Sequence, residues 1–472
     1  MRDESGSTTY CYDRWGNLVR KVQTVTGGSR LEQRASFDSA NRLATLIYPS
    51  GASATYGRDA QGRITGVTTV PVAGGSSATL VATVTYLPFG PLQSLTYGNS
   101  RVLTKAYDGN YDIDKVSDSA ASNPISEDFT VDTAGRITAL SERTSTATPL
   151  SRTYSYDGLD RMTGEKNGTQ VIEGYTYDAT DNRLSKTVGN QTSNYSYAST
   201  DHRLSAAGNK SRNYDANGNT TLIGSGGAAP GFVYDDRNRL RDYKLGSTVK
   251  ASYRYNGQGE QVLRIDSTTP ANSRQYVYDD AGHLLGEYTT AGVRLQEYVW
   301  LDDTLVGILS DHDTSTYQYV ETDHLGTPRA VIHPTKNTII WRWNLNDTGF
   351  GDHAPIADPD NNGIVYTLNL RYPGQRADPI SGLSYNYFRD YDPATGRYIE
   401  SDPIGLAGGS STYGYVGSNP GCQTDPFGLW STEAHNYFID QMFGGTLTPS
   451  QIADIKSGSA FTDSPIFQES VN

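Results

Sequence analysis

Tyr10-Cys11-Tyr12-Asp13-Arg14-Trp15-Gly16-Asn17-Leu18 is the first clear copy of a unit, Tyr-x-Tyr-Asp-x-x-Gly-Asn/Arg-Leu, whose reading decides the fold. Tyrosines two apart on a strand share one face. The Asp that follows can accept bonds from amides ahead of it, and Gly tolerates positive φ, so the centre of the unit predicts a reverse turn. The Leu then opens a return strand. One unit is therefore a β-hairpin that cannot bury its aromatic face alone and must pair with its copies.

Working outward, degenerate copies appear at Phe37-Asp38, Arg58-Asp59 and Val131-Asp132. A clearer series runs through Tyr156, Tyr177, Tyr197, Tyr214, Tyr234, Tyr255, Tyr278, Trp300 and Tyr319, in steps of 21, 20, 17, 20, 21, 23, 22 and 19 residues. A period near twenty is the signature of a stacked array. The composition agrees: 34 Tyr and 49 Gly stand against 11 Phe and 3 Met in 472 residues. Tyr, Thr and Val suit strands and Gly, Asn and Asp suit turns. With only 36% hydrophobic residues, the expected packing is a thin wall in which each strand buries one face. The recurring tyrosines and aspartates read as structural, because they recur with the hairpin.

A net charge of −13 argues against nucleic acid as a partner of this surface. No apolar run is long enough to span a membrane. MRDESGSTTYCYDRWG has no apolar core of a secretory signal, so the expected export route reads no cleaved leader. Cys11 and Cys422 are the only cysteines, too few for a disulfide framework or a metal knuckle.

The Tyr-Asp units resemble the YD repeats of Rhs proteins, toxin-complex C subunits and teneurins, and the resemblance covers residues 1 to 429. It implies an all-β fold in which the hairpin array spirals into a hollow shell. The chain opens inside a repeat, so the expectation is a C-terminal portion without the trafficking domain of a full-length member. Thr322-Asp323-His324-Leu325-Gly326-Thr327-Pro328-Arg329 resembles the Rhs signature preceding the core-associated region. His324, beside a Gly-Thr-Pro turn, reads as a hydrogen-bonding turn residue before it reads as a base or ligand. Asp358-Pro359-Asp360-Asn361-Asn362-Gly363 matches the start of an EF-hand loop, but Asn369 stands where that loop needs a bidentate Glu. It reads as a polar turn.

From Tyr385 to Tyr398 a tightened Tyr-Asp unit leads into two Asp-Pro-x-Gly-Leu elements, Asp402–Leu406 and Asp425–Leu429. On the residues alone each is a turn, and 22 intervening residues do not place their carboxyls together. This block resembles the Rhs core-associated segment, which closes the shell and cleaves its own chain after the second element. Carried onto this sequence, the cleavage site is Leu429–Trp430, with Asp402 and Asp425 as the acids and Arg389 as the accompanying basic residue. The chemistry asks for two carboxyls that share one proton, one activating water and the other donating to the carbonyl oxygen. Arg389 would orient a carboxylate or stabilise oxygen charge. Asp390 and Asp392 stand as substitutes, and Cys422 is a rival nucleophile with no His near it in sequence. Gly421-Cys422-Gln423-Thr424 is more polar than the family pattern before the last acid.

After Leu429 the period changes. Ser431 or Thr432 can cap a helix carrying Ala434, Tyr437, Phe438 and Met442, and Thr448-Pro449-Ser450-Gln451 is a second helix start. Glu433-Ala434-His435 reads as a polar helix face. The expected organisation is a YD-repeat shell over 1–320, a signature and core-associated closing region with autoprotease function over 321–429, and the start of a variable toxin over 430–472.

The resemblance implies a bacterial toxin shell that encapsulates its C-terminal segment and cuts it loose once, as a self-cleaving aspartic-type peptidase without metal or cofactor. Expected partners are the chain's own toxin segment, an immunity protein and a component of a secretion machine (type VI or similar). The chain would reside in the bacterial cytoplasm before leaderless delivery in interbacterial competition. The other reading is a YD-repeat adhesion or carbohydrate-binding surface protein that stays uncut.

Overall fold

The computed structural model describes residues 1–120, 125–143, 150–199, 201–344 and 349–429. Trp430, the two expected C-terminal helices and the rest of 430–472 lie outside the described residues. Within them the chain is nearly all β, as the repeat reading requires; three single 3-10 turns are the helical elements. Thirty-two strands, from Arg2–Asp3 to Ile339–Arg342, form one antiparallel sheet in which each strand pairs with the next in sequence.

The repeat chemistry is visible in every well-formed unit. Asp13 Oδ1 accepts from the Trp15 and Asn17 amides at 2.9 and 3.0 Å, and Oδ2 accepts from the Asn17 side chain at 2.9 Å. Gly16 has φ of +89°; where Asn41, Asp160, Asp181 or Asn238 takes that place, φ is also positive, a conformation these residues tolerate better than most. A bulge precedes the Asp in each unit, as at Ser155/Tyr156 and Thr176/Tyr177. It re-aims the second tyrosine, whose hydroxyl donates to a carbonyl of the preceding unit: Tyr156 to Ile137 at 2.7 Å, Tyr177 to Met162 at 2.8 Å, Tyr197 to Arg183 at 2.8 Å. Trp300 does the same through Nε1 to Leu284 at 2.9 Å. The second tyrosine thus fastens one hairpin to the one before it.

The last step of the series, to Tyr319, is out of register by three residues, because the strand Gln318–Thr322 carries Tyr319 and runs into the turn at Asp323. Asp323 carries the repeat turn, accepting from the amides of Leu325 and Thr327 at 2.9 and 3.0 Å. The signature Asp323-His324-Leu325-Gly326 is therefore the turn of that same unit, with Thr322 in the tyrosine position.

The sheet winds back on itself. Tyr48 donates to the Tyr298 carbonyl at 2.9 Å and Lys105 to that of Asp323 at 2.6 Å, across more than 200 residues of chain. Alternation then sorts the later strands between two cores. Tyr319, Ala330 and Ile332 pack with Leu46, Ile64 and Leu103 of the early repeats. Val320 and Val331 pack with Tyr385, Tyr391 and Tyr415 of the closing region. Strands such as Gln318–Thr322 and Pro328–Ile332 are buried on both faces. The expectation of one buried face per strand therefore fails here: the late strands are a middle layer between the early repeats and residues 366–416.

The closing region has its own small antiparallel sheet, from Arg376–Ala377 through Ser384–Asn386 and Arg389–Asp392 to Arg397–Tyr398. Arginines from both sides seat it on the repeats. Arg183 donates to the Thr395 carbonyl at 2.9 Å, Arg212 pairs with Asp392 at 2.8 Å, and Arg397 donates to the Tyr197 hydroxyl at 2.6 Å.

Candidate active site

The strand Arg389–Asp392 sits centrally in the closing sheet and carries Arg389 into a buried cluster. The two Asp-Pro-x-Gly elements arrive there as turns. Asp402 Oδ1 accepts from the Ile404 amide at 3.0 Å. Asp425 Oδ1 accepts from the Leu429 amide at 3.0 Å. The other oxygen of each carboxyl converges on a single nitrogen: Arg389 Nη2 lies 2.9 Å from Asp402 Oδ2 and 3.4 Å from Asp425 Oδ2. The turn reading and the paired-acid reading thus hold together, since each carboxyl uses one oxygen for its turn and one for the cluster. Arg389, Asp402 and Asp425 are 3%, 7% and 3% exposed, which makes the attraction strong and the cost of breaking it high.

Two residues that the sequence reading passed over complete the cluster. Tyr398 donates to Asp425 Oδ2 at 2.8 Å, and the Arg389 guanidinium lies over its ring, 3.7 Å from the centroid. The Asn386 side chain donates to the Tyr398 hydroxyl at 2.6 Å and to the Asp425 carbonyl at 3.0 Å. The sequence does place Tyr398 at the end of a tightened repeat, in Gly396-Arg397-Tyr398, but gives no sign of its partner.

The chain around Leu429 is held from several sides. Arg389 Nε donates to the Gly428 carbonyl, the Phe388 amide donates to the Phe427 carbonyl at 3.0 Å, and the Phe427 ring packs edge-on against Tyr387 with centroids 5.2 Å apart. A cavity of about 20 Å³ opens beside Arg389, Gly408 and Asp425, enough room for one water molecule.

Burial pushes the Asp402 carboxyl up to about 6; Arg389 opposes the shift and the charge of Asp425 adds to it. Two carboxyls and one guanidinium leave the site one proton short of neutrality, so a proton bound there is stabilised.

The substitutes named from sequence lie elsewhere. Asp390 receives burial and the charge of Asp378, which push it up to about 7, against the opposing pull of Arg239. Its backbone amide donates to Glu400 Oε2 at 2.8 Å, and burial and Asp390 push Glu400 up as well. This is a second buried acid pair, which sequence reasoning gave only as a lone Asp390. Asp392 closes a turn, accepting from Thr395 Oγ1 at 2.6 Å and pairing with Arg212. The Cys422 thiol is pushed up by burial and accepts from the Ile137 amide at 3.5 Å, the opposite of what a nucleophilic thiolate needs.

His324 hydrogen-bonds through Nε2 to the Gly421 carbonyl at 2.8 Å and packs edge-on to Phe129. It ties the signature turn to the segment before Asp425. The loop at Asp358 closes on itself as a polar turn: its two carboxylate oxygens accept from the amides of Asn362 and Gly363 at 3.0 Å each.

Comparison with known proteins agrees with this architecture. Residues 83–406 match the family model described as Teneurin YD-shell, and residues 37–76 match that described as RHS Repeat. The chain is 31% identical over 312 residues to the probable deoxyribonuclease RhsA of Dickeya dadantii, covering 59% of this chain and 21% of that protein. It is 27% identical over 340 residues to the toxin protein Tse5 of Pseudomonas aeruginosa, covering 58% of this chain and 25% of that protein. The chain thus spans about a fifth to a quarter of the length of these relatives. Among solved structures, the crystal structure of TcdB2-TccC3 superposes with a TM-score of 0.75 at 18% identity, over 90% of this chain and 24% of that one. That likeness is one of fold.

Proposed function

The chain belongs to the teneurin YD-shell family, and from that membership we propose that it is the shell and closing region of an Rhs-type toxin that cuts itself between Leu429 and Trp430. The observation that carries the reading is the convergence of Asp402 and Asp425 on Arg389 Nη2, with the Leu429 amide held by the same Asp425.

In this reading Asp402 holds the proton and Asp425 the charge. Asp425 accepts from Tyr398 and Leu429 and pairs with Arg389, which suits a carboxylate. Asp402, with its raised affinity for a proton, donates to the Leu429 carbonyl oxygen. A water beside Arg389 and Asp425 loses a proton to Asp425 as its oxygen bonds to the Leu429 carbonyl carbon. Collapse breaks the carbon–nitrogen bond, returns the Asp402 proton, and passes the proton on Asp425 to the amine of residue 430. The sum is one water added across one peptide bond. Arg389 restrains both acids and, through Nε, the Gly428 carbonyl. Positioning of this kind replaces substrate binding, and because the bond is the chain's own, each molecule reacts once.

Residues 430–472 would then be the released toxin segment, enclosed by the shell before delivery through a leaderless secretion machine, with an immunity protein guarding the producer cell. The relative named as a toxin, Tse5, supports that role.

Intact-mass measurement on the purified full chain tests the cleavage. The expected result is a break after Leu429 in the wild type and an uncut chain in Asp402→Asn and in Asp425→Asn. An uncut wild type overturns the mechanism and favours the adhesion reading, without touching the fold.

A further inference from the structure

Two glycines, Gly374 and Gly408, approach the segment 425–429 closely, and a third, Gly428, lies within it. A side-chain carbon built on Gly374 would overlap the Pro426 backbone, and one on Gly428 would overlap the Asn386 carbonyl. Both glycines have positive φ, +81° and +68°, so their backbone conformation already favours glycine. Gly408 is different. It ends the 3-10 turn Gly405–Gly408 and has no positive φ, so alanine fits its backbone. What a methyl group there would meet is the reacting pair: the Leu429 carbonyl oxygen at 2.6 Å and, closer still, Asp402 Oδ2.

We propose that Gly408 is a positioning residue for the cleavage: its bare α-carbon is the gap across which the Asp402 carboxyl faces the Leu429 carbonyl oxygen. The inference rests on the self-cleavage reading for its consequence, but the apposition of the two oxygens over Gly408 is a statement of geometry that stands separately. Both groups lie against the same face of one α-carbon, and nothing bulkier than hydrogen fits between that carbon and either of them. A methyl group must displace the carboxyl or the carbonyl. Misplacement of reacting groups by about 1 Å costs on the order of 100-fold in rate. Gly421 supplies the control, since a side-chain carbon there would meet nothing within 4 Å and its φ is not positive.

The test has two arms. In the first, the rate of cleavage after Leu429 is followed by intact mass for wild type, Gly408→Ala and Gly421→Ala, with melting temperature measured on each. The expected result is a loss of about 100-fold in Gly408→Ala, normal cleavage in Gly421→Ala, and similar melting temperatures. In the second, the ¹³C shift of the Leu429 carbonyl is followed against pH in an uncut background, Asp425→Asn if the wild type cuts and the wild type itself if it does not. With Gly408 the carbonyl should report a titration that vanishes in Asp402→Asn; with Gly408→Ala that titration should disappear. Normal cleavage in Gly408→Ala overturns the proposal, as does a carbonyl titration that is absent with Gly408 or unchanged with alanine. If the wild type is uncut but the carbonyl titration depends on Gly408, the positioning stands and the self-cleavage reading falls.

Discussion

The hydroxyl of Tyr398 donates to Asp425 Oδ2 at 2.8 Å. The same carboxylate oxygen faces Arg389 Nη2 at 3.4 Å, so the base of the proposed reaction is aimed by one neutral and one charged donor. Tyr398→Phe removes the neutral donor, and with it the oxygen that accepts from Asn386, leaving a ring for Arg389 to lie on. A hydrogen bond to a charged group contributes about 1.5–3 kcal/mol. Cleavage is expected to slow by roughly tenfold or more, with the fold intact, in a time course of cell-free synthesis read on a gel. A Phe variant that cuts at the wild-type rate removes Tyr398 from the machinery.

The raised proton affinity of Asp402 fixes a pH dependence. With its carboxyl at about 6, the protonated acid is fully present below that value and declines about tenfold per pH unit above it. A single-turnover rate measured from pH 5 to 8 should fall through about 6 on the alkaline side. The stability linkage has the same sign. An unfolded Asp titrates near 3.9, so the folded state binds the proton more tightly and its stability declines as pH rises from about 4 to about 6. Asp402→Asn should flatten that decline in a pH series of melting temperatures.

Much of the fold was legible because its cause is local. Asp13 or Asp178 makes its turn with amides two and four residues ahead, and a period near twenty repeats the instruction. The winding of the sheet was expected from resemblance and not from the residues themselves, because Tyr48 finds Tyr298 through tertiary packing that no short pattern encodes. The late strands, buried on both faces, escaped for the same reason. At the site, Asp402, Asp425 and Arg389 came from resemblance; the residues alone gave two turns, and both turns are present. Tyr398, Asn386 and Gly408 were missed because their significance lies in what they touch, and a bare α-carbon leaves no chemical signal in a sequence.

The seating of the closing region on the repeats should depend on Arg212. Its guanidinium pairs with Asp392 at 2.8 Å, both residues being buried. Removing one partner of a buried pair costs about 3–5 kcal/mol, while replacing both can be nearly neutral. Arg212→Met is therefore expected to raise amide exchange across residues 389–398 sharply. The double variant Arg212→Met with Asp392→Asn should recover most of the protection. Equal exchange in the single and double variants would show that the pair does not hold the two regions together.

The repeats themselves should tolerate local damage without loss of cleavage. Asp178 accepts from the amides of Thr180 and Asn182 and from the Asn182 side chain, at 2.8, 3.0 and 2.9 Å, and Tyr177 fastens its hairpin to the Met162 carbonyl. Asp178→Ala removes these three bonds and a fourth, from Thr180 Oγ1 at 3.0 Å, and is expected to cost about 1–3 kcal/mol, and Tyr177→Phe about 1 kcal/mol. In an array, stability is close to a sum of unit and neighbour terms, so the damage should stay near residues 156–188 in an amide-exchange map. The acid pair is carried by the closing sheet and its two turns, so intact mass should show the same break after Leu429 in both variants. Loss of cleavage in Tyr177→Phe, with exchange unchanged across 385–429, would mean that a repeat tyrosine takes part in the chemistry and that the periodic residues are not purely structural.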